Sequence, residues 1–140
     1  MTRVGFYVIQ SGEPGERLSV AMRLTDKAFQ QGHRIYINAA DRQQAEILNE
    51  QLWHFRPESF LPHAISGNEE AESPITIGWG QDPGSNCDLL INLQLDVPAF
   101  FSRFQRVAEV VTQDAESLSA LRASWKFYQE RGYQMEKHDL

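Results

Sequence analysis

Apolar and polar positions change period several times along the chain, and each change marks an element. Arg3-Val4-Gly5-Phe6-Tyr7-Val8-Ile9 is β-branched and aromatic and stops at a Ser-Gly-Glu-Pro-Gly turn, which predicts a first, central strand. Leu18, Ala21, Met22, Thr25, Ala28 and Phe29 then recur at helical spacing, with Gly32 where a C-terminal cap belongs. Residues 34–38 (Arg-Ile-Tyr-Ile-Asn) predict a second strand. The opening segment is thus a β-α-β unit, whose strands should be parallel with a right-handed crossover. Asp41 and Gln44 form a capping box for a second helix that buries Ala45, Leu48 and Leu52. Residues 75–79 and 88–93 read as further short strands, separated by a turn-rich segment. Pro98, Phe100, Phe101 and Phe104 predict one or two helical turns, and residues 106–111 another strand. Asp114 opens a last helix that runs to about Arg131, where Gly132 ends it. The expectation is an α/β fold with a mostly parallel sheet flanked by helices, one domain over residues 1–140, and a flexible tail over 134–140.

One stretch breaks the alternation. In Leu52-Trp53-His54-Phe55-Arg56-Pro57-Glu58-Ser59-Phe60-Leu61-Pro62-His63 the two prolines exclude a regular helix, because each removes an amide donor and biases its predecessor toward extended geometry. A turn followed by a short extended run remains. Trp53, Phe55 and Phe60 either cap the core beneath them or reach outward as anchors for a partner; composition favours the first, while stiff, proline-fixed rings suit the second. Residues 66–73, acidic and poor in apolar side chains, read as a solvated, mobile loop.

Charge narrows the function classes. A formal net charge of −6 over 140 residues repels a phosphate backbone, so DNA would be reached by holding other proteins. The opening lacks the basic segment and apolar run of a signal peptide, and no apolar run approaches membrane-spanning length, so a soluble, cytoplasmic protein is expected. The lone Cys87, beside Asp88, reads as structural.

Catalytic signatures are missing. The turn after the first strand, where nucleotide phosphates usually sit in such sheets, has no P-loop and no three-glycine fingerprint, and Glu13 and Glu16 would repel phosphate. His33, His54, His63 and His138 show no zinc-ligand spacing. No serine lies in a nucleophile elbow, and Glu69 and Glu70 fall in the loop expected to be mobile. Neither metal nor cofactor is expected, and an enzyme is disfavoured; a nucleotide-binding α/β enzyme using that first turn is the alternative.

Along the last helix, Leu118, Leu121, Trp125 and Tyr128 recur as a buried stripe, with Arg122, Lys126 and Gln129 beside it. Trp125 lies on the border. Either it belongs to the core while Arg122 and Lys126 solvate the outer face, or a half-exposed indole is flanked by two cations. The second arrangement suits an acidic, aromatic peptide or a C-terminal carboxylate.

Phe6-Tyr7-Val8, Gly32-His33-Arg34-Ile35-Tyr36-Ile37, the 52–63 stretch, Asp88-Leu89-Leu90-Ile91-Asn92-Leu93, and Arg122, Trp125-Lys126, Tyr128 and Gly132-Tyr133 occur in one order along one chain. In that order they resemble the chi-subunit family of bacterial DNA polymerase III, over nearly the whole length, with the 53–63 segment most specific. The resemblance implies a non-catalytic adaptor of the clamp-loader complex, on a sheet similar to mononucleotide-binding folds. It implies two protein-binding faces. Trp53, Pro57 and Phe60 match positions that hold the psi subunit, a face that in relatives can alternatively hold a helicase-like repair protein. Arg122, Trp125 and Lys126, supported by Tyr128, match positions that hold the acidic C-terminal tail of single-stranded DNA-binding protein. DNA would be contacted indirectly. Two departures stand out: Leu118 and Ser119 occupy the neighbourhood where some relatives carry a further basic residue, and Thr112-Gln113 makes a shorter connection into the last helix.

Overall fold

The computed structural model describes residues 2–12, 15–54, 62–65, 73–84 and 88–140. Its strands are β1 (Arg3–Val8), β2 (Ile35–Asn38), β3 (His63–Ile65), β4 (Ile75–Gly78), β5 (Leu89–Asn92), β6 (Arg106–Val111) and β7 (Gln134–Asp139). The helices are α1 (Glu16–Gln30), α2 (Arg42–Trp53) and α3 (Ala115–Glu130), with a single 3-10 turn at Phe101–Arg103. One sheet holds all seven strands in the order β3-β4-β2-β5-β6-β1-β7, and every pairing is parallel. A parallel sheet must bury both faces, since its crossovers lie on them. Ile35, Ile37, Ile75, Ile77 and Ile91 form one face under α1 and α2; Val4, Phe6, Tyr36, Leu90 and Val107 form the other under α3 and the 3-10 turn.

The helix ends form as their residues dictate. Asp41 accepts from the Gln44 amide at 2.8 Å while the Gln44 side chain accepts from the Ala40 amide at 2.7 Å, closing a capping box one residue early. Gly32 and Gly132 take φ of 85° and 77°, the left-handed geometry in which a side chain is strained. Gly78 is needed for another reason: a Cβ there would stand 2.0 Å from the Tyr36 hydroxyl oxygen.

Several expectations need correcting. The first strand is interior but lies sixth of seven, and β5 and β6 separate it from β2, so the opening β-α-β unit does not make a neighbouring pair. The segment at Pro98 yields only the 3-10 turn. Residues 134–139 are not a flexible tail: they form β7, paired along β1 from Arg3↔Gln134 to Val8↔Asp139. Its string of charged side chains disguises a strand that pairs on one side only, and such charges discourage pairing on the open side. Among the expected loop and turn residues, 13–14, 66–72 and Cys87 lie outside the described residues.

A polar ladder crosses the α3 face where the strands end. The Asn38 amide donates to the Asn92 side chain at 3.1 Å, Asn92 donates to Glu109 Oε1 at 2.8 Å, and the Tyr128 hydroxyl donates to Glu109 Oε2 at 2.8 Å. All four residues are buried, and the last bond ties α3 to β6. Burial pushes the Glu109 carboxyl up to about 7, against the opposing pull of the Tyr128 and Asn92 hydrogen bonds and the Arg17 charge. The folded chain therefore holds a proton that the unfolded chain, titrating near an ordinary carboxylate value, has released. From this group, stability is greatest below about pH 4.5 and declines as pH rises toward 7. Glu109→Gln, which removes the buried charge, is expected to flatten that decline and to gain about 1–3 kcal/mol at pH 8. Urea denaturation across pH 5 to 8 checks this, and a variant that follows the parent's slope would contradict the assignment.

Candidate peptide-binding site

Helix α3 starts from a short connection that is pinned at each residue. Gln113 donates to the Ile9 carbonyl at 3.0 Å, and Thr112 donates to Asp114 at 2.5 Å. Asp114 also accepts from the Ser117 amide at 3.0 Å, capping the helix; the Thr112 hydrogen bond, followed by those from Ser117, holds its carboxyl down at about 2. The brevity of the connection thus fixes the register of the helix.

That register differs from the simple apolar stripe. Ser117, Ser124 and Tyr128 are the buried residues of α3, while Leu118, Leu121 and Trp125 are partly buried and pack from the sides. Small serines at the nearest approach let the helix settle close to the sheet, and the larger side chains spread to its flanks. Tyr128 is fully buried beneath the helix and bonded to Glu109, so it cannot touch a ligand; it positions the helix instead.

Trp125 lies on the border with its indole over Phe6, ring centroids 5.2 Å apart. On the neighbouring strand Lys137 stands beside Phe6 in register, on the same face of the sheet. These placements open a hollow of about 280 Å³ lined by Leu121, Arg122, Trp125 and Lys137. Its wall is apolar, and its cations come from two elements. Arg122 is exposed and makes no ion pair among the described residues. Lys126 is more peripheral: it is exposed, 3.9 Å from Glu130, and does not line the hollow. Of the four residues expected here, Arg122 and Trp125 come together in the cavity, and Lys126 and Tyr128 do not. Lys137 was not foreseen. Its signal would have been strand alternation in residues 134–139, which the surrounding charges obscured.

At the opposite edge of the sheet, α2 ends at Trp53, whose side chain is 53% exposed and packs against His63 of β3 at 4.7 Å between ring centroids. Pro57 and Phe60, expected beside Trp53, lie outside the described residues.

The crevice beyond the carboxyl ends of β5 and β6, where a sheet of this kind would take a nucleotide, has about 460 Å³. Asp96, Asp114 and Glu116 line it against a single guanidinium, Arg17, which donates to the Leu93 carbonyl at 2.5 Å. That balance disfavours phosphate. Among the described residues there is no cluster of metal-ligating side chains, and no helix is long and apolar enough to cross a membrane.

Comparison with known proteins supplies the lineage. The family model described as DNA polymerase III chi subunit, HolC, matches residues 1–136. The chain is 46% identical over 140 residues to the DNA polymerase III subunit chi of Pseudomonas aeruginosa, covering 100% of this chain and 98% of the relative. It is 28% identical over 141 residues to the subunit of that name from Escherichia coli, covering 96% of each, and 27% identical over 137 residues to that from Haemophilus influenzae, covering 96% and 95%. With matches of this extent, the chain belongs to the DNA polymerase III chi-subunit family.

Proposed function

We propose that this chain is a non-catalytic adaptor in DNA replication, joining the clamp-loader complex of DNA polymerase III, through psi, to the C-terminal tail of single-stranded DNA-binding protein. The observation that carries the reading is the hollow on α3. An apolar wall of Leu121 and Trp125 beside a guanidinium and an ammonium suits an aromatic terminal residue with its free carboxylate. Family membership supports a replication subunit, and the acidic charge of the whole chain supports contact with DNA through a protein rather than directly.

The second face is Trp53, with Pro57 and Phe60 as its proposed companions in holding psi or, alternatively, a helicase-like repair protein. Trp53 belongs to the β3 edge of the sheet and the hollow to the β7 edge. Seven strands at roughly 4.8 Å spacing put about 30 Å between those edges, so both partners can be held at once. The mechanism is mass action. Many tails on one coated strand raise the effective concentration seen by a modest site, and no covalent chemistry is required.

Arg122→Ala is expected to weaken a tail peptide by about 1–3 kcal/mol, the loss of a charge-assisted contact, without affecting psi. Calorimetric titration reads it, and unchanged affinity would remove Arg122 from the site. Trp53→Ala should do the converse, losing psi by about 2 kcal/mol or more while keeping the tail. Co-purification with psi distinguishes the two, and retention of psi by that variant would dismiss Trp53 as the anchor.

A further inference from the structure

We infer that Lys137, on β7, is the second cation that fixes the terminal carboxylate of the bound peptide, so that the carboxylate lies between Lys137 and Arg122 rather than between Arg122 and Lys126. The inference rests on the tail-binding reading and specifies its chemistry. Three observations point the same way. First, Lys137 and Arg122 line one hollow together with Trp125, whereas Lys126 lies outside it. Second, the location of Lys137 is imposed by the sheet: its register with Phe6 places it on the α3 face, and Phe6 is the ring on which the Trp125 indole rests. The Lys137 backbone and the Trp125 indole are thus both set against one residue of β1. Third, its present partner is replaceable. Lys137 Nζ lies 3.5 Å from Asp139 Oδ1, and both side chains are more than half exposed. A pair so solvated is worth little, and a peptide carboxylate sandwiched with Arg122 can displace it.

Leu118 and Ser119 place no cation on the turn before Arg122, so the positive face of α3 consists of Arg122 and Lys126 alone. Lys137 adds a cation from the strand side. It approaches from across the cavity rather than along the helix, so it contacts the end of a peptide and not its upstream acidic residues.

The test uses the full chain and two probes: an acidic tail peptide ending in Phe with a free carboxylate, and the same peptide with its C-terminus amidated. In the parent, amidation is expected to weaken binding roughly tenfold. In Lys137→Gln the acid peptide should lose about five- to tenfold while the amide peptide changes less than about twofold, so the preference for the acid collapses. Lys137→Arg should restore it. Lys126→Gln should weaken both peptides slightly and alike, leaving the preference intact. If Lys137→Gln retains the parent's acid-to-amide ratio while Arg122→Ala weakens the acid peptide, the assignment of Lys137 is overturned and the tail-binding reading stands. If the parent binds neither peptide, the reading fails and takes this inference with it.

Discussion

The hydrogen bond from Tyr128 to Glu109, 2.8 Å long and fully enclosed, fixes how the rest of the molecule is used. A carboxylate buried under a helix is costly in itself, and removing one partner would leave the other unsatisfied in a low-dielectric setting. Its presence therefore selects one placement of α3 over others of similar apolar contact. Rotating the helix by one residue would take the Tyr128 hydroxyl from Glu109 Oε2, leaving that oxygen without its donor, and lift the serine seam from the sheet. Because that rotation is penalised, Trp125 is held over Phe6, and Arg122 is held toward β7. The hollow lies on the outer side of a helix whose inner side is locked.

Much of this architecture is written locally in the chain. The caps at Asp41, Asp114, Gly32 and Gly132 and the β-branched run of β6 follow from short-range chemistry, and all form. What could not be read locally was strand order. The position of β1 beside β6 depends on contacts about a hundred residues apart, which no periodicity records. β7 escaped because an edge strand needs an apolar residue on one face only, and here Met135 alone gives that cue. Glu109 had a visible signal, an acidic residue inside Val-Ala-Glu-Val-Val, but its partner Tyr128 lies a helix away.

The site was half legible for the same reason. Arg122 and Trp125 lie within one helical turn, so spacing alone brings them together. Lys126 looked equivalent by sequence distance, yet one residue beyond Trp125 turns it about 100° around the helix, toward Glu130 and away from the hollow. Lys137 is distant in sequence and adjacent in space, because Gly132 turns the chain back into the sheet. A hollow shared by a helix and a strand can be read from the helix on one side, but its second wall requires the topology.

Net charge and local charge then act on different length scales. At −6, the molecule as a whole opposes an acidic peptide, and beyond a Debye length that opposition is screened at physiological salt. The hollow itself is lined by two cations, Arg122 and Lys137, beside Leu121 and Trp125. Screened repulsion over the surface, combined with an apolar wall beside two cations, suits a ligand that offers a ring and a carboxylate together better than one that offers negative charge alone. A nucleic-acid strand presents phosphates without that carboxylate, and it would meet the acidic surface along its whole length.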